Sequence, residues 1–238
     1  MTSFSCGQRQ NQRYTSLWVC VMHHAVRVSA CFLVAVWVYV PASALDVPLS
    51  DEAVREAYFL GQRHDASFLN DYVKLLPPPK TGPHISSVSL LTPFVQLARL
   101  SDRHLGSYSA QQARLDHRGQ EEIVEIIIEI RLTPSYGAFI ASPPGSRSSS
   151  PPALTLRSSL FWKDFDVQIY GGDQSLSPSD FDGHANYSCG RRGPCVMTGA
   201  TLKFKFRADA FTSDSATIRV DPPEGDPVSV GFDLIRLR

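Results

Sequence analysis

The chain has 238 residues, with 23 Lys and Arg against 23 Asp and Glu, a formal net charge of zero and 43% hydrophobic residues. That is long enough to bury a proper core. It is too evenly charged to offer the concentrated basic surface that nucleic acids or anionic membranes require, so neither is expected as a partner.

The charge is unevenly placed. Residues 1–45 carry no Asp or Glu, and their formal charges are Arg9, Arg13 and Arg27. An apolar run from Ala30 to Val40, eleven residues, follows this cationic flank and is succeeded by Pro41 and the small residues Ala42, Ser43 and Ala44. The order of a cationic region, a short apolar run and a small-residue triplet predicts a secretory signal peptide over residues 1–44, with a long cationic region and cleavage after Ala44. The run is shorter than the roughly 18 apolar residues of a spanning helix; retained uncleaved, residues 28–44 would instead act as a membrane anchor. Met22 offers an alternative start that would give a more ordinary signal peptide.

Export sets the terms for the rest. The mature part, from Leu45, keeps twenty cations against 23 acids, a net charge of −3. Cys6, Cys20 and Cys31 leave with the leader, and Cys189 and Cys195 remain. Two cysteines with five residues between them, in an oxidising compartment, predict one local disulfide, with Gly190, Gly193 and Pro194 supplying the tight backbone. They lack the Cys-x-x-Cys spacing of a redox or metal pair.

Ser50 caps a predicted helix to about Leu60, closed by Gly61, and Asp65 caps a second whose Phe68, Leu69, Tyr72, Leu75 and Leu76 recur at helical spacing before Pro77-Pro78-Pro79 stops it. His84 to Leu91 reads as extended. Thr92 and Pro93 open a third helix, and Ala110 to His117 form a fourth, more polar one. From Glu122 to Leu132 the period changes to two, predicting a long half-buried strand. Residues 142–152, rich in Pro and Ser, predict a loop. Strands follow at Leu154–Leu156, Phe161–Tyr170 and Leu202–Ala208, and Ala216–Val220 and Val228–Leu234 form a terminal hairpin. The expected fold class is α+β: a helical N-terminal part, 45–119, packed on a mainly antiparallel β-sandwich, 120–238, of immunoglobulin-like kind.

Several segments resemble those of uncharacterised exported bacterial proteins: Ala57-Tyr58-Phe59-Leu60-Gly61-Gln62-Arg63, Pro79-Lys80-Thr81-Gly82-Pro83-His84-Ile85, Tyr108-Ser109-Ala110-Gln111-Gln112-Ala113, Phe161-Trp162-Lys163-Asp164-Phe165 and Phe232-Asp233-Leu234. The resemblance covers most of the mature chain and implies a bacterial envelope setting. It implies no activity.

Candidate sites are few. Lys80, Thr81, His84, Tyr108 and Gln112 can face one another in a groove between the helical part and the sandwich, with His84 as a base, although a histidine beside a turn also serves as a hydrogen-bonded structural residue. Asp180, Asp182, His184 and Asn186, at every second position of the stretch from Asp173, offer oxygen ligands to calcium, but the spacing is not that of an EF-hand, no bidentate Glu follows, and a solvated loop of turn-forming residues explains them better. Glu121, Glu122, Glu125 and Glu129 contain the carboxylates a glycosidase needs, yet with Arg131 they read as the wet side of an amphipathic strand. Phe161 and Trp162 suit either a sugar face or a core.

No catalytic residue, resident metal or cofactor is assigned. The sequence reading is therefore an exported, non-catalytic binding or structural protein, in the periplasm or outside the cell, with a protein or glycan partner. The alternative is an exported hydrolase with its site between the helical part and the sheets.

Overall fold

The long alternating stretch becomes the middle strand of a sheet. In the computed structural model, which describes residues 45–104, 108–141, 154–191 and 193–237, all described residues belong to one compact unit. Strand β3 (Ile123–Arg131) places Val124, Ile126, Ile128 and Ile130 inward at 0% exposure, while the odd positions face outward. It pairs antiparallel with β2 (His84–Leu91) on one side and β9 (Cys195–Arg207) on the other. The edges of this five-stranded sheet are β1 (Val73–Leu75) beside β2 and β8 (Asp180–Cys189) beside β9.

A second, four-stranded antiparallel sheet has the order β11 (Val228–Asp233), β10 (Ser215–Asp221), β6 (Asp166–Gly171) and β7 (Gln174–Ser175). Its Ile169, Ile218, Val220, Val230 and Phe232 share one hydrophobic core with the inward residues of the first sheet. Burying an aliphatic side chain of this size stabilises the fold by roughly 1.5–3 kcal/mol, and neither sheet can hide its apolar face without the other. A separate ribbon of β4 (Phe139–Ala141) and β5 (Leu154–Leu156) pairs Phe139 with Leu156. The expected antiparallel sheets and the terminal hairpin, β10 with β11, are present, and neither sheet closes on itself.

Three helices match their sequence signals. Helix α1 (Asp51–Gly61) is capped by Ser50, whose hydroxyl accepts from Ala53 N at 3.1 Å. Helix α2 (Pro93–Arg103) is capped by Thr92 and begins with proline, and α3 (Ala110–His117) is capped by Ser109. The three pack around a smaller core of Val54, Ala57, Phe94, Leu97, Ala98 and Ala113.

The stretch 45–119 is not, however, a separate helical part, because β1 and β2 from within it belong to the same sheet as β3. The helix expected from Asp65 to Leu76 is a short 3₁₀ turn, Ala66–Asp71, followed by β1. Asp65 does cap it, accepting from Ser67 N at 2.9 Å. Sheet pairing overrides the helical spacing beyond it: Val73 lies opposite Ser89, Leu75 lies opposite Ser87, and Leu75 is left 80% exposed. Phe161–Asp164 is likewise a 3₁₀ turn, with Phe161 and Trp162 buried in the main core, so neither forms a sugar face. The disulfide between Cys189 and Cys195 is formed and closes the β8–β9 hairpin. Residues 1–44 and the loop 142–152 lie outside the described residues.

Two turns meet where the sheets end. Gly82, with φ of 84°, leaves no room for a Cβ beside the carbonyl oxygen of Glu224, and Gly225, with φ of 96°, would bring one to 3.1 Å from that of Thr81. Only glycine takes this backbone without strain. Thr133 Oγ1 donates to Gly82 O at 2.6 Å, and Gly82 N donates to Ser135 Oγ at 3.1 Å, which ties the Gly82 turn to the turn that follows β3.

Truncating Ile128 to alanine leaves a cavity in the middle of the central strand, where the neighbouring strands cannot collapse. The expected loss is about 2–5 kcal/mol in urea unfolding, against less than about 1 kcal/mol for the outward Ile127→Thr on the same strand.

Candidate functional site

The junction between helices and sheet is built from the last residue of α3, the first turns of α2 and the start of β3. His117 ends α3, and the chain turns through residues 118–121 before Glu122 leads into β3. The turn brings the two side chains together: His117 Nε2 donates to Glu122 Oε1 at 2.9 Å. The same oxygen accepts from Leu49 N at 2.7 Å, tying the segment before α1 to the start of β3. The two side chains are 17% and 9% exposed, and Glu122 Oε2 is buried with no partner of its own. Gln96 on α2 donates to Leu91 O at 2.9 Å and to Ile123 O at 2.8 Å, fixing the helix over the ends of β2 and β3.

These residues line a pocket of about 260 Å³, with Pro93, Leu97 and Leu100 of α2 facing Ile123 and the carboxylates of Glu121 and Glu122. A second pocket of about 290 Å³ shares Gln96 and Leu100 with it and continues along α2. Its walls are Arg99 and Arg103 on the helix and Glu125, Ile127 and Lys203 on the outward face of β3 and β9. The two pockets adjoin along α2, the first with Glu121 and Glu122 in its lining and the second with Arg99, Arg103 and Lys203 beside Glu125.

The residues expected to share a groove are divided. Thr81 and His84 line a third pocket, about 280 Å³, between the proline-rich turn and the loop joining β10 to β11, with Glu224 and Asp226 opposite. His84 Nε2 donates to Leu76 O at 2.9 Å, so this ring is held as a structural donor. Lys80 is exposed and does not line that pocket. Tyr108 lies instead among the helices, its ring stacked on His104 at 4.7 Å and its carbonyl accepting from Tyr58 OH at 2.9 Å. Gln112 donates to Asp116 at 2.6 Å on exposed α3. The expected groove fails because β1 and β2 separate the two stretches of chain.

The proposed calcium residues occupy strand β8, so period two puts Asp180, Asp182, His184 and Asn186 on one face. That face opposes cations. Lys205 Nζ donates to Asp180 Oδ2 at 2.8 Å, Asp182 lies opposite Lys203 in the strand register, and Asn186 donates to Thr201 Oγ1 at 2.9 Å. Among the described residues no group of three or more His, Cys, Asp and Glu is placed to hold a metal ion. Glu125 and Glu129 face outward as expected: Glu125 lies 3.9 Å from Lys203 Nζ, and Glu129 accepts from Thr201 at 3.1 Å.

Glu122 departs from that group because it precedes the strand and turns inward. His117, Gln96, Arg99 and Arg103 were not singled out by the sequence. The one available signal was a histidine at a helix end five residues before a glutamate. No family model matches this chain, and no curated protein matches it.

Replacing Glu122 with alanine strips the acceptor from Leu49 N and His117, with an expected loss of about 1–3 kcal/mol by urea denaturation, whereas Glu122→Gln keeps an acceptor and loses less. On β8, the hydrogen bond from Lys205, followed by its charge, holds the Asp180 carboxyl below its ordinary value of 3.8. The pair's contribution is therefore present above that value and lost as pH falls through the lowered one. A carboxyl-carbon NMR titration should give a midpoint under 3.8 for Asp180, and Lys205→Met should raise it.

Proposed function

We propose that this chain is an exported protein of the bacterial envelope or exterior, with its leader removed after Ala44, whose folded part binds a ligand or partner without transforming it. The leader-like order of charge, apolar run and small residues supports export. So does the fit of the chain just after it: Leu45 is 2% exposed and belongs to the main core, so the expected mature start is anchored. The Cys189–Cys195 bridge suits an oxidising compartment. Among the described residues no helix is long and apolar enough to cross a membrane. The shared core of the two antiparallel sheets supports the reading of a sandwich of immunoglobulin-like kind.

The observation that carries binding over hydrolysis is how the His117–Glu122 pair is used. Glu122 Oε1 is committed to Leu49 N as well as to His117, which makes the pair a structural clasp, and the described residues that line its pocket include no serine, threonine or cysteine for a covalent step. What remains is a preformed groove along α2 with charges of both signs in its lining, a geometry that recognises.

Hydrolysis keeps one specific support, which is that a His–carboxylate pair lies at the junction of helices and sheet. N-terminal sequencing of the exported protein should begin at Leu45; any other start overturns the cleavage site. Assay against ester, peptide, glycoside and phosphate-ester substrates should give no turnover. Turnover abolished by His117→Gln, a change that retains a donor to Glu122, would replace the binding reading with the hydrolytic one.

A further inference from the structure

Strand β8 is an open edge of the five-stranded sheet, and its outer side pairs with no strand among the described residues. We propose that two copies of the chain join there, β8 against β8 about a two-fold axis at Gly183, with Asp182 of each copy opposite His184 of the other. No residue of β8 lines the pockets beside α2, so the pairing does not rest on the reading of those pockets.

Four observations carry this. The first is the uncovered edge. A strand at the border of a sheet presents unpaired N–H and C=O groups at every second residue, a ready template for another strand. Of the ten residues of β8, seven are exposed and none is buried, which leaves the edge open to a second chain.

The second is the length that can pair. Pro178, just before the strand, has no N–H to donate, and a shift of register between Asn186 and Tyr187 interrupts the other end. The regular run is therefore Asp180 to Asn186, and its middle residue is Gly183.

The third is how that run reads against itself. Opposed residues on antiparallel strands point to the same face, so a two-fold pairing that keeps the pleat sets even positions against even ones. About Gly183, Asp182 meets His184, Asp180 meets Asn186 and Phe181 meets Ala185, each pair occurring twice. Carboxylates thus face an imidazole and an amide, and apolar groups face apolar ones. A centre at Asp182 would set two carboxylates against each other on the axis. A centre at His184 would set imidazole against imidazole and carry Phe181 across the bulge to Tyr187. Only the glycine-centred register leaves the axis free of side chains. Asp182 and His184 are 71% and 59% exposed and approach each other no closer than 3.8 Å on their own strand, so both are available to a second copy.

The fourth is Phe181. It is 45% exposed yet fixed in place, stacked on Phe204 at 4.6 Å and edge-on to Trp162 at 5.7 Å. A ring already held at a sheet edge gains burial from a second chain at little cost in side-chain entropy.

The test is sedimentation equilibrium of the protein, as its host makes it, at concentrations up to roughly 1 mM. A single strand pair is a small interface, so the expected dissociation constant is on the order of 100 µM. His184→Glu sets carboxylate against carboxylate and should weaken the dimer about tenfold. Asp182→Lys should also weaken it, although that change brings the net charge of the mature part closer to zero. The two substitutions together restore an opposite-charge pair and should return the constant to within about threefold of its original value. Both positions are exposed, so the variants are expected to fold. A readout needing no variant is amide exchange, which should slow between residues 180 and 186 as concentration rises. A chain monomeric to 1 mM would overturn self-pairing and leave this edge to a strand of another protein. A dimer indifferent to the single substitutions, a double variant no tighter than either, or exchange that slows elsewhere and not on β8 would each overturn it as well.

Discussion

The structure depends on the burial of one side of β3. Val124, Ile126, Ile128 and Ile130 are completely enclosed, and each needs apolar atoms from the opposing sheet above it and from β2 and β9 beside it. Because side chains alternate strictly along a strand, this single requirement fixes the outward set as well. Glu125, Ile127 and Glu129 have no choice of face once the isoleucines are inside. The register with β9 then sets Lys203 opposite Ile127 and Lys205 opposite Glu125, and with β8 beyond them the polar outer surface follows row by row.

The same constraint explains where the groove lies. Its floor is the outward row of β3, its wall is α2, and Gln96 joins them with two hydrogen bonds to backbone carbonyls. The floor is fixed by the sheet's own pairing, and the helix is tied to it by those two bonds. Glu122 completes the arrangement just before the strand begins, where one carboxylate holds the chain before α1 and the end of α3 together. Rigid elements meeting at buried hydrogen bonds hold a ligand-sized space open at little entropic cost.

Much of the fold was legible in the sequence because local signals agreed with the final environment. The capping residues Ser50, Asp65 and Thr92 were readable from chemistry alone, and β3, β10 and β11 from a period of two. Reading failed where two periods fit. Phe68, Leu69, Tyr72, Leu75 and Leu76 satisfy a helix, yet Tyr72 is buried and Leu75 exposed because β2 takes a partner strand there, a long-range demand with no local mark. The stretch Asp173–Asn186 was read by its turn-forming residues, whereas Phe181, Gly183 and Ala185 oppose Phe204, Leu202 and Ala200 in the sheet, with Trp162 packed on Gly183. The site was less legible than the fold. His117 and Glu122 meet only because a turn reverses the chain, and Arg99 and Arg103 gain meaning only from the strand they lie against. The disulfide needed no tertiary knowledge, since two cysteines so close in the chain have few other options.

The interlock of Gly82 with Gly225 adds a mechanical property. The first turn leads into β2 of one sheet, and the second joins β10 to β11 of the other. Two stacked sheets are held against sliding by interdigitated apolar side chains, which can still yield by changing rotamer. Backbone meeting backbone, with no side chain to deform, acts as a stop against that sliding. The sheets are thereby clamped at the proline-rich end, so any relative motion between them is a fanning about that point. The largest displacements then fall at the opposite end, where β2 finishes at Leu91 and β3 starts at Ile123. The groove lies at that end, but α2 is pinned to those same strands, so it travels with its own sheet and keeps its width while the other sheet swings.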